Sequence, residues 1–442
     1  MEKTEILNRI IPDYSEKFKA GQFDLGEMPL LNALGNSIML KKVDCQNLCI
    51  VACQHLLTPQ LEMFRWFIGL GVKAENILIL PKAYSANKEV VDDLKKLGCS
   101  VFEKALNFDG RESFDSFHEK QCSLIRKIAS KKFAYSCRLV VIDDGGALLK
   151  EFSKEKGFSN IYGVEQTSSG KNKLLSKELS FAVNSVASSI EKLSIETDYI
   201  IRHSLFRIKS YFSKHSIDNS KRVLVLGKGP IGVTMMSALI ADGFDCFGYD
   251  ILDGERISIA DFDVIIGATG FQSVSYSDLF ELKPGCHLIS ISSSDREFPS
   301  IEIRSNSTAG SDIHDDFVHR NTGIFLANGG FPITFKGYRF ECYPLEMDVT
   351  MMKLMEAVFS NNFEASVNSL YANKVLKKHQ PIIFCSLLSL VLVLLLKLVF
   401  WGFFGDTILL IKIIAFLSLA VACLPAIWQL SYYYRVEKIF KP

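Results

Sequence analysis

Between Gly227 and Gly232 the chain reads Gly-Lys-Gly-Pro-Ile-Gly, three glycines at the spacing G-x-G-x-x-G. That spacing does chemistry only in a fixed setting: a strand before it, a helix after it, and an acid at the end of the next strand. All three are expected here. Residues 223–226 form a short apolar run of the kind buried in a parallel sheet. Val233, Met236, Leu239 and Ile240 then recur at helical spacing, Gly243 closes the helix, and a second apolar run, 246–249, ends at Asp250. In this setting Gly227 permits the tight turn, Gly229 lets a pyrophosphate approach the backbone, and Gly232 lets helix and strand pack closely. The helix N-terminus offers N–H groups to the phosphates. Asp250 suits a ribose diol and would repel a 2′-phosphate, so the expected cofactor is NAD.

Two more chemistry-bearing features lie upstream, His55 and the run Asp143-Asp144-Gly145-Gly146. Each follows a strand, the position where open parallel sheets carry function. The elements that must position them alternate: strands at 49–52, 76–80, 100–102 and 139–142, helices at 61–71, 87–97 and 115–130. The first 150 residues therefore read as a doubly wound α/β domain. A polar loop is expected at 161–172 and a long helix joining the domains at 196–212. The dinucleotide domain follows at about 218–335, with later strands at 264–267, 288–291 and 324–326 and with Thr269 just past the first of them. Residues 347–359 read as a Met-rich amphipathic core helix, and 366–378 as a basic helical linker. His203, His215, His314 and His319 show no partner pattern and are expected at the surface; His314-Asp315-Asp316 reads as a loop, and no metal site is expected.

Composition narrows the class. The 442 residues hold 50 Lys+Arg against 49 Asp+Glu, so nothing global points to nucleic acid. The 11 cysteines include no C-x-x-C pair; Cys45, Cys49 and Cys53 flank and end an apolar run and are expected in the core, as suits a reducing compartment. The N-terminus has no apolar signal segment. Residues 381–404 and 407–430 are each long and apolar enough to span a bilayer, with one lysine apiece (Lys397, Lys412), and Gly405 and Asp406 separate them. Lys374, Lys377 and Lys378 precede the pair; Arg435, Lys438 and Lys441 follow it. The positive-inside rule then puts both ends and the soluble domains in the cytoplasm, on a two-helix transmembrane hairpin.

Beyond these readings, the chain resembles S-adenosylhomocysteine hydrolase, in collinear order from Glu27-Met28-Pro29 to about Phe359. The stretches that carry the resemblance are ACQHLLTPQLEMFRWFIGLG, VVIDDGGALL, IYGVEQTSSG, EKLSIETDYIIRHSL, FDVIIGATGFQSV and LANGGFPITF. It implies two Rossmann-like α/β domains: a substrate domain at 1–195, a connecting helix at 196–217, and an NAD domain at 218–340. Helices at 341–380 would return to the first domain, ahead of the hairpin at 381–430 and a tail at 431–442. It also implies a chemistry. Tightly held NAD transiently oxidises the 3′-hydroxyl of an adenosyl ribose, the thioether is eliminated, water adds, and NADH restores the hydroxyl.

Residue by residue, His55 and Asp144 match the family's acid/base pair, and Lys192 the lysine that takes the hydroxyl proton. Glu196 stands where the family has an aspartate, and Gln166 where it grips the ribose with a glutamate. Thr167, Ser168 and Ser169 replace three threonines that contact NAD, and Thr197 replaces an asparagine. The implied catalytic set is His55, Asp144, Lys192 and Glu196, with Gln166, Lys192 and Glu196 on the substrate. The implied cofactor set is Thr167, Ser168, Ser169, Thr197, Gly227, Gly229, Gly232, Asp250 and Thr269. There are departures: Leu57 replaces a threonine, Ser293 a histidine, no histidine follows LANGGFPITF, and the hairpin stands where the family's C-terminal tail reaches a neighbouring protomer. Three readings follow: redox-assisted chemistry on a nucleoside-like small molecule, an NAD(H)-binding module without catalysis, or a simple dehydrogenase. Each could form a homo-oligomer.

Overall fold

The computed structural model describes residues 22–359 except 42, 176, 188, 255–256 and 337–342, together with 11 and 17; of 190, 191 and 193–198 it describes the backbone alone. The basic linker 366–378, the apolar runs 381–404 and 407–430 and the tail 431–442 lie outside the described residues. Among the described residues no helix is long and apolar enough to cross a membrane.

Two parallel-dominated sheets organise the chain in a Rossmann-like α/β fold. The first comprises β1 (Leu48–Leu56), β2 (Ile77–Ala86), β3 (Ser100–Val101), β4 (Arg138–Asp143), β5 (Asn160–Glu165) and β6 (Ala182–Ser185). Their order is β3-β2-β1-β4-β5-β6, all parallel. Both faces of β1 are covered, so it lacks polar/apolar alternation; only His55 escapes full burial. Ile50 and Ala52 join the core formed with helices Pro29–Leu40, Thr58–Gly69 and Pro344–Phe359, while Cys49, Val51 and Cys53 face the core beneath Phe114–Lys132 and Ala147–Phe152. Cys45, Cys49 and Cys53 are buried free thiols, as expected.

The second sheet comprises β7 (Arg222–Leu226), β8 (Asp245–Tyr249), β9 (Val264–Gly267), β10 (His287–Ser290), β11 (Phe317–Val318) and β12 (Phe325–Leu326), in the order β11-β12-β10-β9-β7-β8 with β11 antiparallel. In each sheet the chain reverses its direction of growth beside the first strand, between β1 and β4 and between β7 and β9. Crevices open at the carboxyl ends there.

Helix Pro344–Phe359 returns to the first lobe. Asp348 caps helix Pro29–Leu40 by accepting from the N–H groups of Leu30 and Leu31, both at 2.8 Å, and the Tyr162 hydroxyl donates to the Val358 carbonyl. Met351, Met352 and Met355 are buried, so the helix is packed on most of its circumference rather than on one stripe.

The lobes are clasped together. Arg304 donates to the carbonyls of Gly110 (3.0 Å), Glu112 (3.3 Å) and Gly329 (2.7 Å), and it pairs with Asp295 at 2.8 Å. Asp295 in turn accepts from the Phe114 N–H at 3.0 Å. Beside this clasp Tyr84 stacks on Phe331 (4.7 Å, 21°) and meets Phe114 edge-on (4.7 Å, 83°).

The structure corrects three expectations. Residues 161–172 are not a loop: they contribute most of β5 and the start of helix Ser168–Leu175. Pairing with β4 and β6 on both sides buries 162–165, while Ser168 and Asn172 beyond the strand stay exposed. The connecting helix begins earlier, at Ile190, because Ser189 accepts from the Lys192 N–H as its cap. The four histidines are partnered rather than free surface groups: His203 with Glu346, His215 with Asp316, His314 with Asn328 and His319 with Thr322, the last two fully buried.

Candidate functional site

His55 near the end of β1 and Asp144 just past β4 come from neighbouring strands, so the crevice brings them together. His55 Nε2 lies 3.5 Å from Asp144 Oδ2, and His55 Nδ1 bonds the Ser85 hydroxyl. Phe335, from the other lobe, stacks on the imidazole (4.9 Å, 16°). The third member is Lys82 of β2, whose ammonium pairs with Asp144 Oδ1; both side chains are buried. The sequence reading missed it because the strand was ended at residue 80. The signal was there: a lysine inside ILILPKAYSA, an otherwise apolar buried strand.

The charges settle the protonation states. Burial and the nearby Lys82 ammonium lower His55 to about 4, so the imidazole is neutral at pH 7. Burial works to raise Asp144, but Lys82 and His55 override it and hold the carboxyl at about 2. The Asp144 carboxylate likewise keeps Lys82 charged against its own desolvation.

Beneath this cluster Asp143 and Glu165 are register partners on β4 and β5, both fully buried. Glu165 Oε1 accepts from the N–H of Gly145 (3.2 Å), the N–H of Thr167 (2.7 Å) and the Thr167 hydroxyl (2.7 Å), tying the Asp144 turn to the Thr167 loop. Gly170 is required here, because a Cβ would meet Glu165 Oε1 at 2.2 Å. Asp143 Oδ2 accepts from the Leu149 N–H at 2.9 Å; Asp143 Oδ1 and Glu165 Oε2 have no hydrogen-bond partner among the described residues. Burial, reinforced by the neighbouring Asp143 carboxyl, raises Glu165 to about 8, and burial raises Asp143 to about 6. The pair therefore holds a proton at neutral pH.

The remaining expected residues divide. Gln166 is buried with its side-chain oxygen unpartnered among the described residues, and its carbonyl accepts from the Lys192 ammonium at 2.5 Å. Glu196 and Thr197 lie on helix Ile190–Lys214, but their side chains are outside the described residues. A cleft of about 350 Å³ opens between the lobes. Asp144, Thr167 and Ser169 line it from the first lobe and Ser293, Ser294 and Arg296 from the second; His55, Gln166 and Lys192 are not part of its wall. Ser168 is exposed at the start of its helix. Arg296 crosses the cleft, donating to Asp115 (2.8 Å), Ser169 (3.5 Å) and the Gly270 carbonyl (3.4 Å).

The glycine turn forms the second crevice. Gly227 has φ +98°, a left-handed conformation that favours glycine, and a Cβ on Gly232 would lie 1.9 Å from the Gly227 carbonyl oxygen. A Cβ on Gly229 would meet no atom within 4 Å, so the backbone is open to an approaching group at the head of helix Pro230–Ala241. Asp250, half-buried, accepts from the N–H of Lys228 (2.8 Å) and of Leu252 (3.1 Å). These bonds lower its pKa and leave further lone pairs for a diol. The turn thus fits a dinucleotide. Thr269 is less available: its hydroxyl is engaged by Glu297 (2.6 Å) and the Phe271 carbonyl (2.9 Å).

No family model matches the chain. Two uncharacterized proteins of Mycobacterium tuberculosis, from strains CDC 1551 / Oshkosh and ATCC 25618 / H37Rv, are each 32% identical over 326 residues, which is 70% of this chain and 63% of theirs. The chain thus spans less than two thirds of the length of the curated relatives it matches. Among solved structures, a dipicolinate synthase polypeptide of Bacillus subtilis is similar at 9% identity and a TM-score of 0.36, covering 72% of this chain and 97% of that one. A dipicolinate synthase polypeptide of Bacillus halodurans follows at 11% and 0.33, covering 72% and 100%. A Granulicella formate dehydrogenase stands at 10% and 0.31, covering 52% and 72%. Similarity this loose transfers no function.

Proposed function

We propose that this chain holds NAD in the crevice at Gly227–Gly232 and uses it on a nucleoside-like small molecule bound between the lobes, in the manner of the adenosylhomocysteinases it resembles. The observation that carries this reading is the His55–Asp144–Lys82 cluster. It sits at the switch point of one sheet, against a cleft whose far wall, Ser293 to Arg296, follows β10 of the glycine-turn sheet. Bound NAD would supply the hydride acceptor. Neutral His55 can take a proton, and the Asp144 carboxylate at 3.5 Å stabilises the imidazolium that results. Lys192 already donates one bond to the Gln166 carbonyl, and its ammonium has further donors for a hydroxyl. In this reading the apolar runs at 381–404 and 407–430 anchor the protein to a membrane, with the lobes cytoplasmic.

The test is the appearance of NADH absorbance when purified full chain meets adenosine or S-adenosylhomocysteine. Asp144→Asn should abolish the signal with NAD still bound; Gly229→Val should abolish NAD binding while the fold persists, since only open space surrounds that position. No reduction with any nucleoside would sink the reading.

A second reading, an NAD(H)-binding module without turnover, is favoured by Ser293 replacing the family's histidine. It requires NAD binding together with functional silence of Asp144→Asn.

A further inference from the structure

We infer that Tyr84 is a substrate contact of the cleft, its phenol donating a hydrogen bond to a sugar hydroxyl oxygen. This rests on the nucleoside reading above and names a group that would recognise the sugar. Tyr84 sits where β2 leaves its ladder with β1: Gln54 partners Pro81 and Leu56 partners Ala86, so five steps along β2 match two along β1. A bulge re-aims side chains, and bulges gather beside active sites. Two neighbours in this one already serve the cluster, Lys82 on Asp144 and Ser85 on His55. Tyr84 lines the cleft together with Lys82 and Asp144.

The ring is fixed from both lobes. Besides Phe331 and Phe114 it meets Phe335 (5.6 Å, 67°) and His55 (5.7 Å, 73°). The residue is 1% exposed, yet its hydroxyl bonds no protein group among the described residues. Ring packing does not account for that oxygen; phenylalanine would fill the same place without a buried polar group left unpaired. Neighbouring groups of the wall are engaged: Thr167 with Glu165, and Asp115, Ser169 and Ser294 with Arg296. Burial raises the phenol to about 12, the pull of Lys82 and Arg296 being opposed by Asp144 and Asp115, so it keeps its proton and acts as a donor. All four of those charged groups line the cleft, which places the hydroxyl end at the ligand. His55 and Asp144 act on the sugar in the nucleoside reading, and Tyr84 stands against both, so a sugar oxygen is the acceptor within reach. A donor on a ring that is already fixed loses little freedom when it binds.

The experiment measures adenosine, 2′-deoxyadenosine and 3′-deoxyadenosine on the full chain with NAD present, by calorimetry, for the wild type and Tyr84→Phe. The variant should bind adenosine about five- to ten-fold more weakly. One of the two deoxy analogues should bind more weakly than adenosine in the wild type and as well as adenosine in the variant, which identifies the hydroxyl that Tyr84 holds. NAD affinity should not change and the melting temperature should not fall, since every ring contact is kept. Equal adenosine affinity for the two proteins would overturn the inference and leave the nucleoside reading standing. Deoxy penalties that are missing from the wild type, or that persist unchanged in the variant, would overturn it too. The expected coupling without any NADH from the wild type would keep the contact and remove the redox step. If the wild type binds no nucleoside, both the contact and the nucleoside reading fall.

Discussion

Replacing Glu165 by glutamine should remove a specific pH dependence from the stability of the protein. Glu165 is fully buried and its pKa rises from 4.5 to about 8, through burial and then the Asp143 carboxyl beside it. A carboxyl raised in the folded state binds its proton more tightly there than in the unfolded chain. It therefore stabilises the fold at low pH, and that stability is lost as pH climbs from the unfolded value through the folded one. Crossing roughly pH 5 to 8 should cost the wild type up to ~4 kcal/mol, at about 1.4 kcal/mol per pH unit. Asp143 shares the proton, so the loss is spread over the pair.

Glutamine keeps an oxygen for Gly145 and Thr167 and carries no titrating proton. The variant should match the wild type near pH 5 and exceed it near pH 8. Glu165→Ala separates bonding from titration: it strands the Gly145 and Thr167 donors at every pH, costing ~1–3 kcal/mol for each one left buried. Urea midpoints of the full chain, followed by circular dichroism across that pH range, decide the matter. Parallel curves for wild type and Glu165→Gln would refute the reasoning.

Lys82→Met removes the ammonium that helps hold His55 neutral and leaves the Asp144 carboxylate, which favours imidazolium. The His55 titration by NMR should move upward from about 4, and an unmoved titration would mean that burial alone sets it. Arg304→Ala should cost ~3–5 kcal/mol, because it strands the buried Asp295 carboxylate, and should raise protease cleavage near 110–114, where Arg304 and Asp295 bind the backbone.

What the sequence disclosed followed from how local each signal is. The glycine turn was legible because three glycines, a helical period and a terminal acid all fall within one βαβ unit, Arg222 to Asp250. The strands that carry His55 and Asp144 were legible because near-continuous apolar runs such as LCIVACQHL occur where both faces of a strand are covered. Lys82 was not, because its meaning depends on Asp144, 62 residues away. The same holds for β5: the short run IYGVE leads straight into the polar QTSSGKN, and only its pairing with β4 and β6 marks it as a strand. Glu165 was read only as part of a loop, although its burial opposite Asp143 makes it the bond that joins two loops. The histidines misled for a like reason, since Glu346, 143 residues from His203, cannot be seen as its partner along the chain.

The Arg304 clasp has a consequence in time rather than in energy. Arg304 and Asp295 are nearly inaccessible to water, and their bonds span the two lobes. Any separation of the lobes must break those bonds, so the rate of lobe opening carries the cost of exposing the Arg304–Asp295 pair to water.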